Sequence, residues 1–225
     1  NGILKAIFKI NPHHAESWAL QAALHTVRNE PGKAESARAS GLKFWKTNPL
    51  VDHEIGKKLS SKYLFEEGAA HQRKALEFSK NFLPAKTQLA QDLLRLGQEE
   101  EGWRLAEEAH EADGYDVTTF NLLTLHDSLK KYVTIDRNGF LLRMARDESA
   151  LYGDEAIDLL TEARELFSAK YDTQIEGPVI VEIFPEKKDF AVRTFGIPGG
   201  DGYMGVCFGK LITANSPKPL VGFQQ

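Results

Sequence analysis

The residues of this chain that could do chemistry are few and unevenly placed. Cys207 is the single cysteine, and all seven histidines lie at or before residue 126. A zinc site needs about three nitrogen, sulfur or oxygen ligands; residues 127–225 offer one thiol and scattered carboxylates. His53-Glu54 is followed by Ile55-Gly56-Lys57, and His110-Glu111 by Ala112-Asp113-Gly114. Neither pair has the second histidine one helical turn on that a His-Glu-x-x-His zinc helix requires. A cysteine nucleophile needs a base beside it. Cys207 sits between Val206 and Phe208 and reads as a buried structural thiol. The glycine-rich stretch FGIPGGDGYMGVCFGKLITANSP, residues 195–217, lacks the Gly-x-x-x-x-Gly-Lys-Ser/Thr order of a phosphate cradle and leads into a strand. Nothing between Asn1 and Gln225 is therefore expected to assemble a metal-held water or an activated nucleophile. No catalytic residue, metal ligand or cofactor site is expected in this chain.

Composition narrows the classes further. Hydrophobic residues make up 42% and charged residues 27%, with a net charge of −4. That balance supplies no basic field for nucleic acid and no polybasic stretch for a membrane surface. No apolar run is long enough to span a bilayer. A soluble protein is expected, with cytoplasm and periplasm both open. The opening Asn1-Gly2, without Met, is what a piece of a longer chain would show. The apolar Leu220, Val221 and Phe223 near the last residue read the same way.

The elements that must carry these residues fall into two regions. Residues 1–131 are rich in helix formers; residues 132–225 bring β-branched runs and most of the glycines. The fold class is mainly α, a helical superhelix followed by a small α+β segment. In the first region Pro12, Pro49 and Pro84 stand 37 and 35 residues apart. Small and apolar residues recur at matching offsets: Trp18, Ala22, Ala34 and Gly41; then Ile55, Gly56, Leu59, Gly68 and Ala75; then Leu89, Ala90, Leu93, Gly102, Ala106 and Ala109. Trp18, Trp45 and Trp103 read as core. A period near 34 residues built of helix pairs resembles the tetratricopeptide family, over about the first 115 residues. A further helix over 118–132 is expected to close the stack.

In the second region Asn138-Gly139 between apolar runs predicts a hairpin. A helix over about 148–171 follows, with Ala156, Leu159, Leu160, Ala163, Leu166 and Phe167 on its buried face. A strand over 177–185, a short helix over 187–193 and strands over 204–208 and 211–214 complete it. This order resembles the front half of a gluzincin-type (peptidase MA-like) zinc metallopeptidase domain, an arrangement found behind tetratricopeptide repeats in bacterial proteins. The resemblance covers about residues 132–217. It implies an edge strand, here Gly205, Val206, Cys207 and Phe208, and a zinc-binding His-Glu-x-x-His helix that would lie beyond Gln225. Zinc is thus implied for a parent domain alone.

Two functions follow as expectations. One is a non-catalytic protein-interaction scaffold, with a protein or peptide in the groove of the repeats. Aligning the three units puts Glu16, Thr26, His53, Lys57, Ser60, Thr87 and Gln91 on that groove, with apolar Ala19, Ala23, Leu50 and Leu94 between them. The other is a truncated zinc-dependent peptidase. An exposed edge strand invites pairing with another chain, so self-association through residues 205–208 is also expected.

Overall fold

The computed structural model describes residues 2–175, 177–199 and 202–217; Gly200, Leu220, Val221 and Phe223 lie outside them. Among the described residues are ten helices and five strands, mainly helical with a small mixed sheet late in the chain. No helix among them is long and apolar enough to cross a membrane. Contacts divide the chain into two units, one of residues 1–94 and 98–114, the other of residues 95–97 and 115–225.

The first unit is a row of helix pairs. A short helix α1 (Gly2–Ile10), which the sequence reading did not anticipate, precedes α2 (Ala15–Val27) and α3 (Pro31–Gly41). Then come α4 (Pro49–Ser60) and α5 (Phe65–Phe78), and α6 (Leu83–Arg95) and α7 (Glu99–Ala112). Prolines sit in the first turn of α3 and α4, where a missing N–H costs nothing. Asn48 caps α4 by accepting from the Leu50 N–H at 3.1 Å. The recurring small residues mark helix crossings. A Cβ on Gly56 would lie 2.5 Å from Gln72 Nε2 and 2.7 Å from the Gly68 carbonyl; one on Gly102 would lie 2.9 Å from Leu94. Ala19, Ala22, Ala23, Val51, Ile55 and Leu59 form the core of the first two pairs. Trp103 is buried and Trp18 is half-buried against Phe8. Trp45, read as core, lies instead in the α3–α4 loop, 54% exposed, because its segment turns before α4 begins.

The second unit takes in α8 (Val117–Leu129), which packs on α10 (Lys187–Phe195). Strands β1 (Val133–Arg137) and β2 (Phe140–Met144) form the hairpin. Its turn residues, Asn138 and Gly139, have φ of 54° and 75°, the left-handed values a two-residue primed turn demands. The long helix α9 (Arg146–Tyr171) leads to β3 (Val179–Phe184), α10, β4 (Gly205–Phe208) and β5 (Leu211–Asn215). The sheet order is β1-β2-β3-β5-β4, with β2, β3 and β5 parallel and both outer strands antiparallel to their neighbours.

Both faces of the sheet are covered, so β3 reads as a continuous apolar run. Leu142, Val181 and Ile212 share a row and one face, and that face packs on Ile157, Ala156 and Leu160 of α9. The rest of α9's expected apolar face is open: Leu159, Leu166 and Phe167 are exposed. Contacts with the sheet and its hairpin include Leu160 and Arg164, whose guanidinium lies 5.0 Å over the Phe140 ring; Leu159 stands beside Leu160 but off that stripe, and Leu166 and Phe167 come after Arg164.

Candidate functional site

Four of the seven groove residues, Glu16, Thr26, Thr87 and Gln91, are half-buried, and Lys57 is exposed. His53 and Ser60 are not on an open surface. They are buried between helices, because the sequence alignment fixes which helix a residue sits on but not which neighbour covers that face. His53 Nδ1 lies 2.9 Å from Gln72 Oε1, and Gln72 Nε2 donates back to the His53 carbonyl at 3.1 Å. Burial lowers the His53 pKa, outweighing the Gln72 hydrogen bond. Ser60 donates to Asp92 of α6 at 2.7 Å, and Gln88 donates to the other Asp92 oxygen at 2.9 Å.

A third polar contact sits beside these. Asp52 of α4 is fully buried and accepts Arg38 Nε and Nη2, each at 2.8 Å, and His71 Nδ1 at 2.7 Å. Burial alone would raise the Asp52 carboxyl. The hydrogen bonds from His71 and Arg38, with their charges, hold it below its ordinary value instead. Arg38 and His71 also line a cleft of about 190 Å³ between α3 and α5, with Thr26 on one wall and Lys74 on another. Sequence reasoning missed Asp52, His71, Gln72 and Asp92. The available signal was a polar residue at a position the repeat makes interior.

In the second unit β4, the four residues read as an edge strand, is the outermost strand among the described residues. The Asn215 N–H donates to the Met204 carbonyl at 2.9 Å, so 204 and 215 are a hydrogen-bonded pair. Antiparallel ladders alternate. Hence Val206 and Phe208 bond inward to Thr213 and Leu211, their register partners, while Gly205 and Cys207 turn their N–H and C=O groups away from the sheet. Gly205 and Cys207 are the two exposed residues of the strand. Cys207 was read as a buried thiol; it is exposed, because on an edge strand only one side is covered. Partial desolvation still raises its pKa, which leaves it a poor nucleophile at neutral pH.

Under α10 the sheet carries a polar row. Arg143, Glu182 and Thr213 are adjacent in register. Glu182 accepts Arg193 Nε at 2.6 Å and Arg143 Nη1 at 3.1 Å, and Thr194 meets Thr213 at 2.9 Å. Just past β5, Ser216 donates to the buried Glu148 at 2.8 Å, and Tyr152 donates to the same carboxylate at 2.5 Å. Burial and that carboxylate push the Tyr152 hydroxyl up to about 12. The zinc implied by the peptidase resemblance does not fit these residues. Glu182 is satisfied by two arginines and Glu148 by two hydroxyls, and no group of three or more metal-ligating side chains occurs among the described residues. No family model matches this chain, and no curated protein matches its sequence.

Proposed function

We propose that the chain is a non-catalytic protein-interaction module, its helical pairs acting as a scaffold and β4 accepting an extended segment of a partner. The observation that carries this reading is the edge at Gly205 and Cys207, where no strand among the described residues pairs and the outward main-chain donors and acceptors match a strand added in register. The opposite edge, β1, is guarded: Asp136 and Arg137 lie on it, and Arg137 pairs with Asp154 at 3.0 Å. β4 carries no charged residue, so it lacks the usual protection of an edge. The repeat of helix pairs at about 34 residues supports the scaffold role.

Selecting binders from a random octapeptide library on the immobilised chain tests it. Strand addition predicts peptides that lose binding when Cys207 is replaced by Pro and keep it in Cys207→Ser. Peptides indifferent to Cys207→Pro would refute the edge as the docking place.

A second reading, the front of a zinc-dependent peptidase, is favoured by the order hairpin, helix, strand, helix, edge strand, which that resemblance implies. There β4 would hold a substrate main chain. Chelator-sensitive cleavage of a quenched fluorescent peptide after zinc addition would select it; peptide binding without cleavage or bound zinc selects the interaction module.

A further inference from the structure

A different place in the molecule has the chemistry of a small-ligand site. The cleft between α1 and α2 has a volume of about 240 Å³ and is lined by Leu4, Lys5, Phe8, Gln21, Leu24, His25 and Arg28. We propose that it binds an amphipathic carboxylate, one anionic head on a short apolar tail.

Helical spacing sorts the lining. Gln21 and His25 stand at i and i+4 on α2, and Arg28, three residues on, is its C-cap, so three nitrogen-bearing side chains line one side of the cleft. On α1, Leu4 and Phe8 stand one turn apart and supply an apolar wall, joined by Leu24 from α2. Phe8 is backed by Trp18, ring centres 4.4 Å apart. Lys5 closes the cationic side.

The charges are unbalanced inside the cleft. It holds a lysine, an arginine and a histidine and no acidic residue. Among the described residues no carboxylate pairs with Lys5 or Arg28. His25 is engaged through one nitrogen only: its Nδ1 lies 2.6 Å from Glu30 Oε2. The Glu30 carboxylate accepts and does not donate, so Nδ1 carries the proton and Nε2 of the neutral ring is an acceptor, open to the hydroxyl of a protonated acid but not a donor to an anion. Glu30 itself is occupied by Lys33 at 2.9 Å as well as by His25. An anion would find donors from Lys5, Gln21 and Arg28 without displacing an existing ion pair. Pockets for drug-sized ligands run to about 300–1,000 Å³, so this one takes a smaller molecule, with the tail against Leu4, Phe8 and Leu24. A free medium-chain carboxylate and a peptide ending in an aliphatic residue share that chemistry.

Sodium octanoate is the first probe, titrated into the whole chain and followed by amide shifts in two-dimensional NMR. Saturable shifts are expected at Lys5, Gln21, His25 and Arg28. Octanamide, with the same tail and no charge, should bind at least about tenfold more weakly, the worth of one charge-assisted hydrogen bond. Lys5→Ala and Arg28→Ala should each weaken octanoate by a similar factor, and Arg28→Lys should restore most of it. Both alanines are good helix formers on exposed positions, so the fold is retained, which circular dichroism checks; Lys62→Ala is the neutral control. N-acetyl-dileucine carries the second arm: tighter binding than octanoate identifies a chain terminus as the source, weaker binding a free carboxylate, and either supports the site. Equal affinity for octanoate and octanamide, or no saturable shift at these residues into the millimolar range, would overturn it. The peptide selection on β4 is unaffected by either result.

Discussion

Ser60 on α4 donates a hydrogen bond to Asp92 on α6 at 2.7 Å across thirty-two residues of chain, and both side chains are buried. The contact ties the second helix pair to the third. It also explains a small residue nearby, because a Cβ on Gly68 would collide with the Ser60 hydroxyl.

Replacing Ser60 with Ala is expected to lower stability by about 1–2 kcal/mol, since Asp92 loses a donor in a place water does not reach. The urea midpoint should fall with an unchanged m-value. Gly68→Ala should be less damaging on the Ser60→Ala background than on the wild type, because the collision is gone. Strict additivity of the two changes would mean that the hydroxyl does not occupy that space.

Asp52 sets the acid limit of the first unit. Its folded pKa lies below the ordinary value, with His71 and Arg38 overcoming the burial penalty. A depressed carboxyl contributes stability above its unfolded pKa of about 4 and loses it as pH falls through the folded value. Stability should therefore decline below about pH 4, and Asp52→Asn should flatten that decline. The same change should cost about 3 kcal/mol at pH 7, the lower end for removing one partner of a buried pair, since the Arg38 side chain keeps 17% exposure. Thermal melts from pH 2 to 7 measure both.

His53 acts in the same direction at a higher pH. Its folded pKa is lowered from 6.5 by burial, so the unfolded chain binds the proton more readily. The folded state then loses stability as pH drops from the unfolded value toward the folded one. Between pH 7 and 5.5 the wild type should weaken more than His53→Gln. Parallel pH profiles for the two proteins would exclude His53 as the titrating group.

On β4 the same substitution should have two outcomes one residue apart. Pro at position 206 removes an N–H that bonds inward to β5 and should cost about 3 kcal/mol. Pro at position 207 removes an outward N–H and should cost much less. If the exposed edge also pairs two copies, Cys207→Pro should shift any dimer seen by sedimentation velocity toward monomer. Equal losses of stability at 206 and 207 would contradict the assigned alternation.

Much of the architecture was legible without coordinates. The hairpin at Asn138-Gly139, the strand at 179–184 and the edge strand at 205–208 follow from turn chemistry and breakers, which act within a few residues. The small residues at 56, 68 and 102 marked the helix crossings for the same reason: a close approach admits no side chain, whatever lies across it. The length of the apolar face on α9 was not legible. Leu159, Leu166 and Phe167 keep the helical period but are exposed, while Ala156, Ile157 and Leu160 pack on the sheet.

The amino-acid order by itself determined most of the elements after α1, the spacing of the prolines and small residues and the absence of a His-Glu-x-x-His motif, because each depends on neighbours in the chain. The tertiary structure alone decided which polar groups meet. Asp52 joins Arg38 and His71, His53 faces Gln72, and Glu182 joins Arg143 and Arg193. These pairs are between 11 and 39 residues apart. Periodicity says that a position faces inward; only the packed neighbour says whether a carboxylate there finds a cation, a hydroxyl or nothing, and that partner fixes its charge and its role.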